Sequence, residues 1–161
     1  MLVLTDRISN RLVYTLDFIF KERGIDYALI TDLAEFEAYH GMKLNYSTNE
    51  VNNTGIQASS LLFDTGSKTY SITFGSFGNS ECLAFDGIVD PLASVFYTLV
   101  RYEEYVDSDT DQYGRFRLKN SFLFQKNWTR KAMCDRWALE ILESIGISDQ
   151  IKSSKPEIIP T

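Results

Sequence analysis

Ile56-Gln-Ala-Ser-Ser-Leu-Leu-Phe-Asp64, a Thr65-Gly-Ser67 turn, then Thr69-Tyr-Ser-Ile-Thr-Phe-Gly-Ser-Phe77: this stretch decides the fold class. Its second half alternates, with Tyr70, Ile72 and Phe74 on one face and Ser71, Thr73 and Gly75 on the other. That is the period of a half-buried strand. Two strand-like runs around a glycine-containing turn predict a hairpin. Upstream, Asp26–Thr31 and Lys43–Ser47 read as two more short strands, joined to the first by a polar loop from Thr48 to Gly55.

Helices frame these strands. From about Asp6 to Arg23, Ile8, Leu12, Leu16 and Ile19 recur at helical spacing, widened by Val13 and Phe20, and Gly24 is the stop. Asp32-Leu-Ala-Glu35 is a capping box opening a short helix that ends at Gly41. Asp90 as N-cap and Pro91 at the first helical position open a helix running to Val106 on a stripe of Leu92, Val95, Phe96, Leu99 and Val100. The last helix spans about Thr129 to Ile145, with Gly146 behind it. The order predicts an α/β (α+β) domain over residues 1–147, with a mixed, mostly antiparallel sheet flanked by helices. Residues 148–161 are expected to be a linker and a first strand leading onward. The helix-then-strands order also resembles the core of restriction-endonuclease-like folds, at the level of architecture alone.

Composition removes several function classes. The 161 residues are 44% hydrophobic and 14% aromatic, enough to build a core without staples. With 16 basic against 22 acidic residues the net charge is −6, which disfavours nucleic-acid partners. No apolar run approaches the length of a membrane span, and Met1–Asp6 is too short and too soon charged for a signal peptide. Cys82 and Cys134 stand far apart with no CxxC pair and read as reduced, buried thiols. These features predict a cytoplasmic chain.

Catalytic chemistry is hard to find. His40 is the only histidine, and beside Gly41 it reads as a helix-end residue. There is no GxSxG, Walker A, GxGxxG or HExxH motif. Asp107-Ser-Asp109-Thr-Asp111 begins like a calcium loop but has Gln112 and Leu118 where Gly and Glu are needed, so a solvated acidic loop is expected. Asp64 could serve an endonuclease-like site, but the next strand offers no Glu-x-Lys. Glu103 falls on the stripe of Phe96 and Leu99 with Arg101 on the opposite face, and a carboxylate on a core stripe needs a partner. Arg115 is the expected partner, pinning the loop back onto the helix; a carboxylate with a perturbed pKa in a cleft is the functional alternative. Glu103, Arg101, Glu104, Asp111 and Arg115 therefore form the candidate binding or structural cluster. Tyr113 and Phe116 are candidates for stacking on a sugar, with Tyr39 and Tyr46 also near expected loops. A stand-alone metal-dependent hydrolase would have to draw on Glu103, Asp86 or the 107–111 acids. No catalytic residue, metal ligand or cofactor is assigned.

Specific strings carry a resemblance. Asp90-Pro-Leu-Ala-Ser-Val-Phe-Tyr-Thr-Leu-Val-Arg101-Tyr-Glu-Glu-Tyr105, followed by Asp111-Gln-Tyr-Gly-Arg-Phe116, is similar to a signature ahead of the catalytic domain in bacterial, chiefly Bacteroidetes-type, polysaccharide deacetylase proteins. Lys43-Leu-Asn-Tyr-Ser47 and Asp135-Arg-Trp-Ala138 match two further signatures of that region. Tyr113 stands where the family has His, so no role of that His carries over. The resemblance implies a non-catalytic N-terminal domain whose partners are a deacetylase domain C-terminal to it and a polysaccharide. The metal-binding acids would lie past Thr161, beyond a strand like Pro156–Thr161.

Overall fold

The structure, a computed structural model, describes residues 1–49, 55–107 and 109–147. The expected linker and strand at 148–161 lie outside the described residues. The architecture is mixed α/β, as the order of elements predicts, but with two sheets rather than one.

The chain opens on a strand that periodicity alone does not reveal. Leu-Val-Leu-Thr forms β1 (Leu2–Thr5), buried along its whole length. Such a continuous apolar run marks a strand covered on both faces. Beside it lie β2 (Ala28–Ile30), β3 (Lys43–Ser47) and β4 (Gly55–Gln57) in the order β2-β1-β3-β4. Every pairing in this sheet is parallel, for example Val3 with Leu29 and Leu44. The expectation of a mostly antiparallel central sheet is therefore corrected. Residues 6–27 and 31–42 carry the chain from β1 to β2 and from β2 to β3 by crossovers instead of tight turns, and these place helices on both faces.

Helix α1 (Asn10–Ile19) covers one face. It starts four residues later than its periodicity suggests, because the Ser9 hydroxyl accepts the Leu12 N–H and fixes the first turn there. Ile8 consequently lies ahead of the helix and is exposed. Helix α2 (Leu33–Ala38) covers the other face, placing Phe36 on Leu2 and Leu4. Its cap is the expected one: the Asp32 carboxylate accepts the Glu35 N–H at 2.9 Å.

The run Ile56–Asp64 is not a strand beyond Gln57. β3 ends at Ser47, whose carbonyl takes the Ala58 N–H, so no partner edge remains beyond that point. The chain turns at Ser60, and Leu61 and Leu62 are both fully buried, which neighbouring residues on a one-sided strand cannot be. Thr69–Phe77 does contain a strand, β5 (Ile72–Phe77), but its hairpin partner lies downstream: β6 (Ser80–Phe85). β7 (Ile88–Val89) completes the small antiparallel sheet. The antiparallel expectation holds for this unit only.

Helix α3 (Pro91–Leu99) begins as expected, with the Asp90 carboxylate accepting the Ala93 N–H and Pro91 in the first turn. It stops well short of Val106. A left-handed residue at Arg101 breaks it, and a separate turn of helix, α4 (Glu103–Val106), follows. After the 107–116 loop come α5 (Phe122–Gln125) and α6 (Met133–Ser144). α6 starts at Met133 rather than Thr129 because Trp128 first turns inward, its ring packed edge-on against Trp137. α1, α3, α6 and the inner faces of both sheets share one core, which includes Leu16, Leu83, Val95, Trp137 and Ile141.

At its centre is an acid. Asp90 is fully buried and accepts four hydrogen bonds, from the Tyr46 hydroxyl, the Ser59 hydroxyl, the Ser59 N–H and the Ala93 N–H, at 2.7–2.9 Å. It joins β3, the turn after β4 and α3. Burial pushes its pKa up, against the pull of these donors.

Candidate functional site

The break at Arg101 builds the candidate site. At φ +53° its N–H donates to the Thr98 carbonyl (3.2 Å), while the Tyr102 N–H reaches Tyr97 (2.9 Å). This pair of bonds closes a helix on a left-handed residue, ordinarily glycine. For a residue with a side chain the conformation costs about 1 kcal/mol. The break has two consequences. Tyr102 swings into the core, packed on Tyr97 and Tyr70, with its hydroxyl accepting the Lys68 N–H at 2.8 Å. Glu103 leaves the core stripe on which an unbroken helix would have put it.

Glu103 does not pair with Arg115. Its carboxylate accepts the Ser121 hydroxyl (2.8 Å) and the Phe122 N–H (2.9 Å), satisfying an amide that the start of α5 leaves without an intrahelical partner. Burial pushes the Glu103 pKa up; the two donors pull it back, and the nearby Asp107 and Glu104 charges add to the rise. Arg115 is instead held by Asp111, four residues earlier, through Nε (3.0 Å) and Nη2 (2.9 Å) on one oxygen. The other oxygen takes the Tyr113 and Arg115 N–H groups. These bonds, the Arg115 N–H foremost, hold the Asp111 pKa down.

The acidic loop thus folds on its own donors. Asp107 takes the Asp109 N–H, Asn120 spans both carboxylates, and Arg117 lies 3.2 Å from Asp109. Among the described residues no three His, Cys, Asp or Glu converge as a metal site. Asp86 accepts the Ser71 N–H, and Asp64 is engaged by Ser60, Tyr70 and Lys68. His40 is exposed.

Arg101 and Glu104 lie with Glu103 on one side and Arg115 on the other, and Asp111 touches this group only through Arg115. Arg101 forms an ion pair with Glu104. Two neighbouring hollows share Arg101, Glu104 and Phe116 in their walls. One, of about 110 Å³, is closed on the inside by Glu103, Tyr97 and Phe122. The other, of about 340 Å³ and more open, is completed by Arg115, Thr110 and Gly114. Tyr113 stands beside them, 71% exposed, with the Arg115 guanidinium 4.9 Å from its ring centre. Tyr46, by contrast, is wholly buried on Asp90 and unavailable for stacking. A third hollow, of about 520 Å³, lies between the start of α1 and residues 63–66, but its Arg7 and Arg11 are engaged by the carbonyls of Phe63, Leu61 and Gly66.

The strings that carry the resemblance divide by role. Tyr46 of Lys43–Ser47 and Trp137 of Asp135–Ala138 are core residues with no exposed surface. Arg101, Glu103 and Glu104 of the one string and Gly114–Phe116 of the other line the hollows just described, while Tyr102 belongs to the core. Sequence reasoning missed the Asp90–Tyr46–Ser59 junction, since its members stand 44 and 31 positions apart and no local pattern links them.

No curated protein and no solved structure matches the chain. A family model matches residues 1–147, and by that match the chain belongs to DUF7033, a family of unknown function.

Proposed function

We propose that this chain is a non-catalytic accessory domain that binds carbohydrate beside a polysaccharide deacetylase domain. The observation behind it is the pair of hollows walled by Arg101, Glu104 and Phe116, next to the exposed ring of Tyr113. Sugar sites combine an aromatic platform with planar charged groups that hydrogen-bond hydroxyls, and this surface offers both. The buried Asp90 is already engaged by four donors and the half-buried Glu103 by two, which suits structural work rather than proton transfer. The link to a deacetylase rests on the Arg101–Tyr105 and Gly114–Phe116 strings, whose Arg101, Glu104, Arg115 and Phe116 line these hollows. Two free thiols, Cys82 and Cys134, suit the reducing cytoplasm.

A degenerate endonuclease-like binding module ranks second, because its expected metal acid, Asp64, is engaged by Ser60, Lys68 and Tyr70. Titration of the isotope-labelled chain with N-acetylchitooligosaccharides and acidic oligosaccharides, followed by NMR, tests the carbohydrate function. Amide shifts confined to residues 101–118 in the parent, and lost in Tyr113→Ala and Phe116→Ala, are expected. No shift with any oligosaccharide, or shifts centred elsewhere, would sink it.

A further inference from the structure

Among the described residues, four helical segments end with the same two hydrogen bonds around a left-handed residue. Gly24 and Gly146 occupy that position in two of them, and Asn127 in a third. Glycine has no side chain to clash there, and asparagine is the usual second choice. The fourth is Arg101. What the side chain does within the fold does not account for the exception. Its ion pair with Glu104 is solvent-exposed, with 74% of the arginine side chain accessible, and such pairs add little. A cation near a helix C-terminus is favourable, but lysine or arginine in the last turn supplies that without the left-handed strain.

The site gives the side chain something else to do. Arg101 lines the open hollow of about 340 Å³ together with Arg115. Two guanidinium groups therefore share one small cavity, and Glu104 is the acid in its wall. Arg101 grips that acid through Nη2. A guanidinium presents a planar fork matched to a carboxylate. In the free protein a carboxylate, that of Glu104, already sits on this guanidinium.

We propose that this hollow binds a carboxylate-bearing sugar, a uronic acid unit of a polysaccharide. Arg101 occupies a position suited to glycine because its guanidinium grips that carboxylate, while Arg115, held by Asp111, lines the same hollow. This rests on the carbohydrate-binding function above and narrows its ligand class.

The test uses the full chain and three probes: trigalacturonic acid, its methyl ester and N-acetylchitotriose. Binding is measured by calorimetry for the parent, Arg101→Gly and Arg101→Lys, alongside thermal melts. The acid should bind roughly tenfold or more tightly than its ester. Arg101→Gly should lose that advantage while melting at the same or a higher temperature, since glycine relieves the left-handed backbone. Arg101→Lys, which keeps the charge but not the fork, should also lose most of it. Equal affinity for acid, ester and chitotriose would overturn the uronic acid assignment and leave the carbohydrate function standing. Absence of binding by all three would overturn both. Unchanged acid binding in Arg101→Gly, or a lower melting temperature, would make Arg101 a structural helix end.

Discussion

Glu103 shows how one side chain is reassigned by its surroundings. Its helical spacing points it at the core, but it opens α4 and its half-buried carboxylate reaches Ser121 and Phe122 at the start of α5. Because burial raises its folded pKa above 4.5, the native state binds more protons than the unfolded chain between those two values. Stability contributed by this group is therefore full below about pH 4.5 and declines as pH rises through the raised value. Glu103→Gln removes the titration yet keeps both contacts, the amide oxygen accepting from Phe122 and the amide nitrogen donating to Ser121. Urea unfolding from about pH 4 to about pH 8 should show the variant gaining on the parent as pH rises. A difference constant with pH would mean that Glu103 is not shifted upward. Arg101 is the other residue whose role depends on its setting. Its sequence neighbours place it in the candidate cluster, but its left-handed backbone and its pairing with Glu104 come from the helix break.

Among the elements, the β5–β6 hairpin rests on a contact from outside the sheet. Glu140 on α6 accepts the Asn79 N–H and the Ser80 hydroxyl, clamping the turn. Gly78 is left-handed there at φ +57°, and a Cβ on it would collide with the Glu140 carboxylate. Gly78→Ala should thus cost about 1–2 kcal/mol or more by chemical denaturation, combining backbone strain with the lost clamp. In a Glu140→Ala background the same substitution should cost less, leaving the strain alone. Equal costs in both backgrounds would show that the clash is not felt. The caps of α2 and α3 were legible in advance because Asp32 and Asp90 bond to groups three residues on. The pairing of β5 was not, since alternation says that a strand has a buried face but not which neighbour it joins.

For the whole molecule, Asp90 is the residue on which the large parallel sheet and the helical core meet. Asp90→Ala would strand two buried N–H groups and two hydroxyls from β3, the turn after β4 and α3 itself. The expected loss is on the order of 3–5 kcal/mol, read as a lower urea midpoint with an unchanged slope. A loss under about 1 kcal/mol would mean that these groups find other partners on relaxation.

The sequence by itself determined the α/β class, the caps of α2 and α3, most of the apolar faces and the nearness along the chain of Arg101, Glu103, Glu104, Asp111 and Arg115. All of these follow from contacts a few residues apart, where spacing fixes geometry. Only the tertiary structure decided that the larger sheet is parallel, that Leu2–Thr5 is its buried inner strand and that α3 breaks at Arg101. It alone chose Ser121 and Phe122 as the partners of Glu103, and Tyr46 and Ser59 as those of Asp90. The reason is range: a parallel pairing or a buried acid is satisfied by groups tens of positions away, brought close by crossovers that leave no periodic trace in the chain.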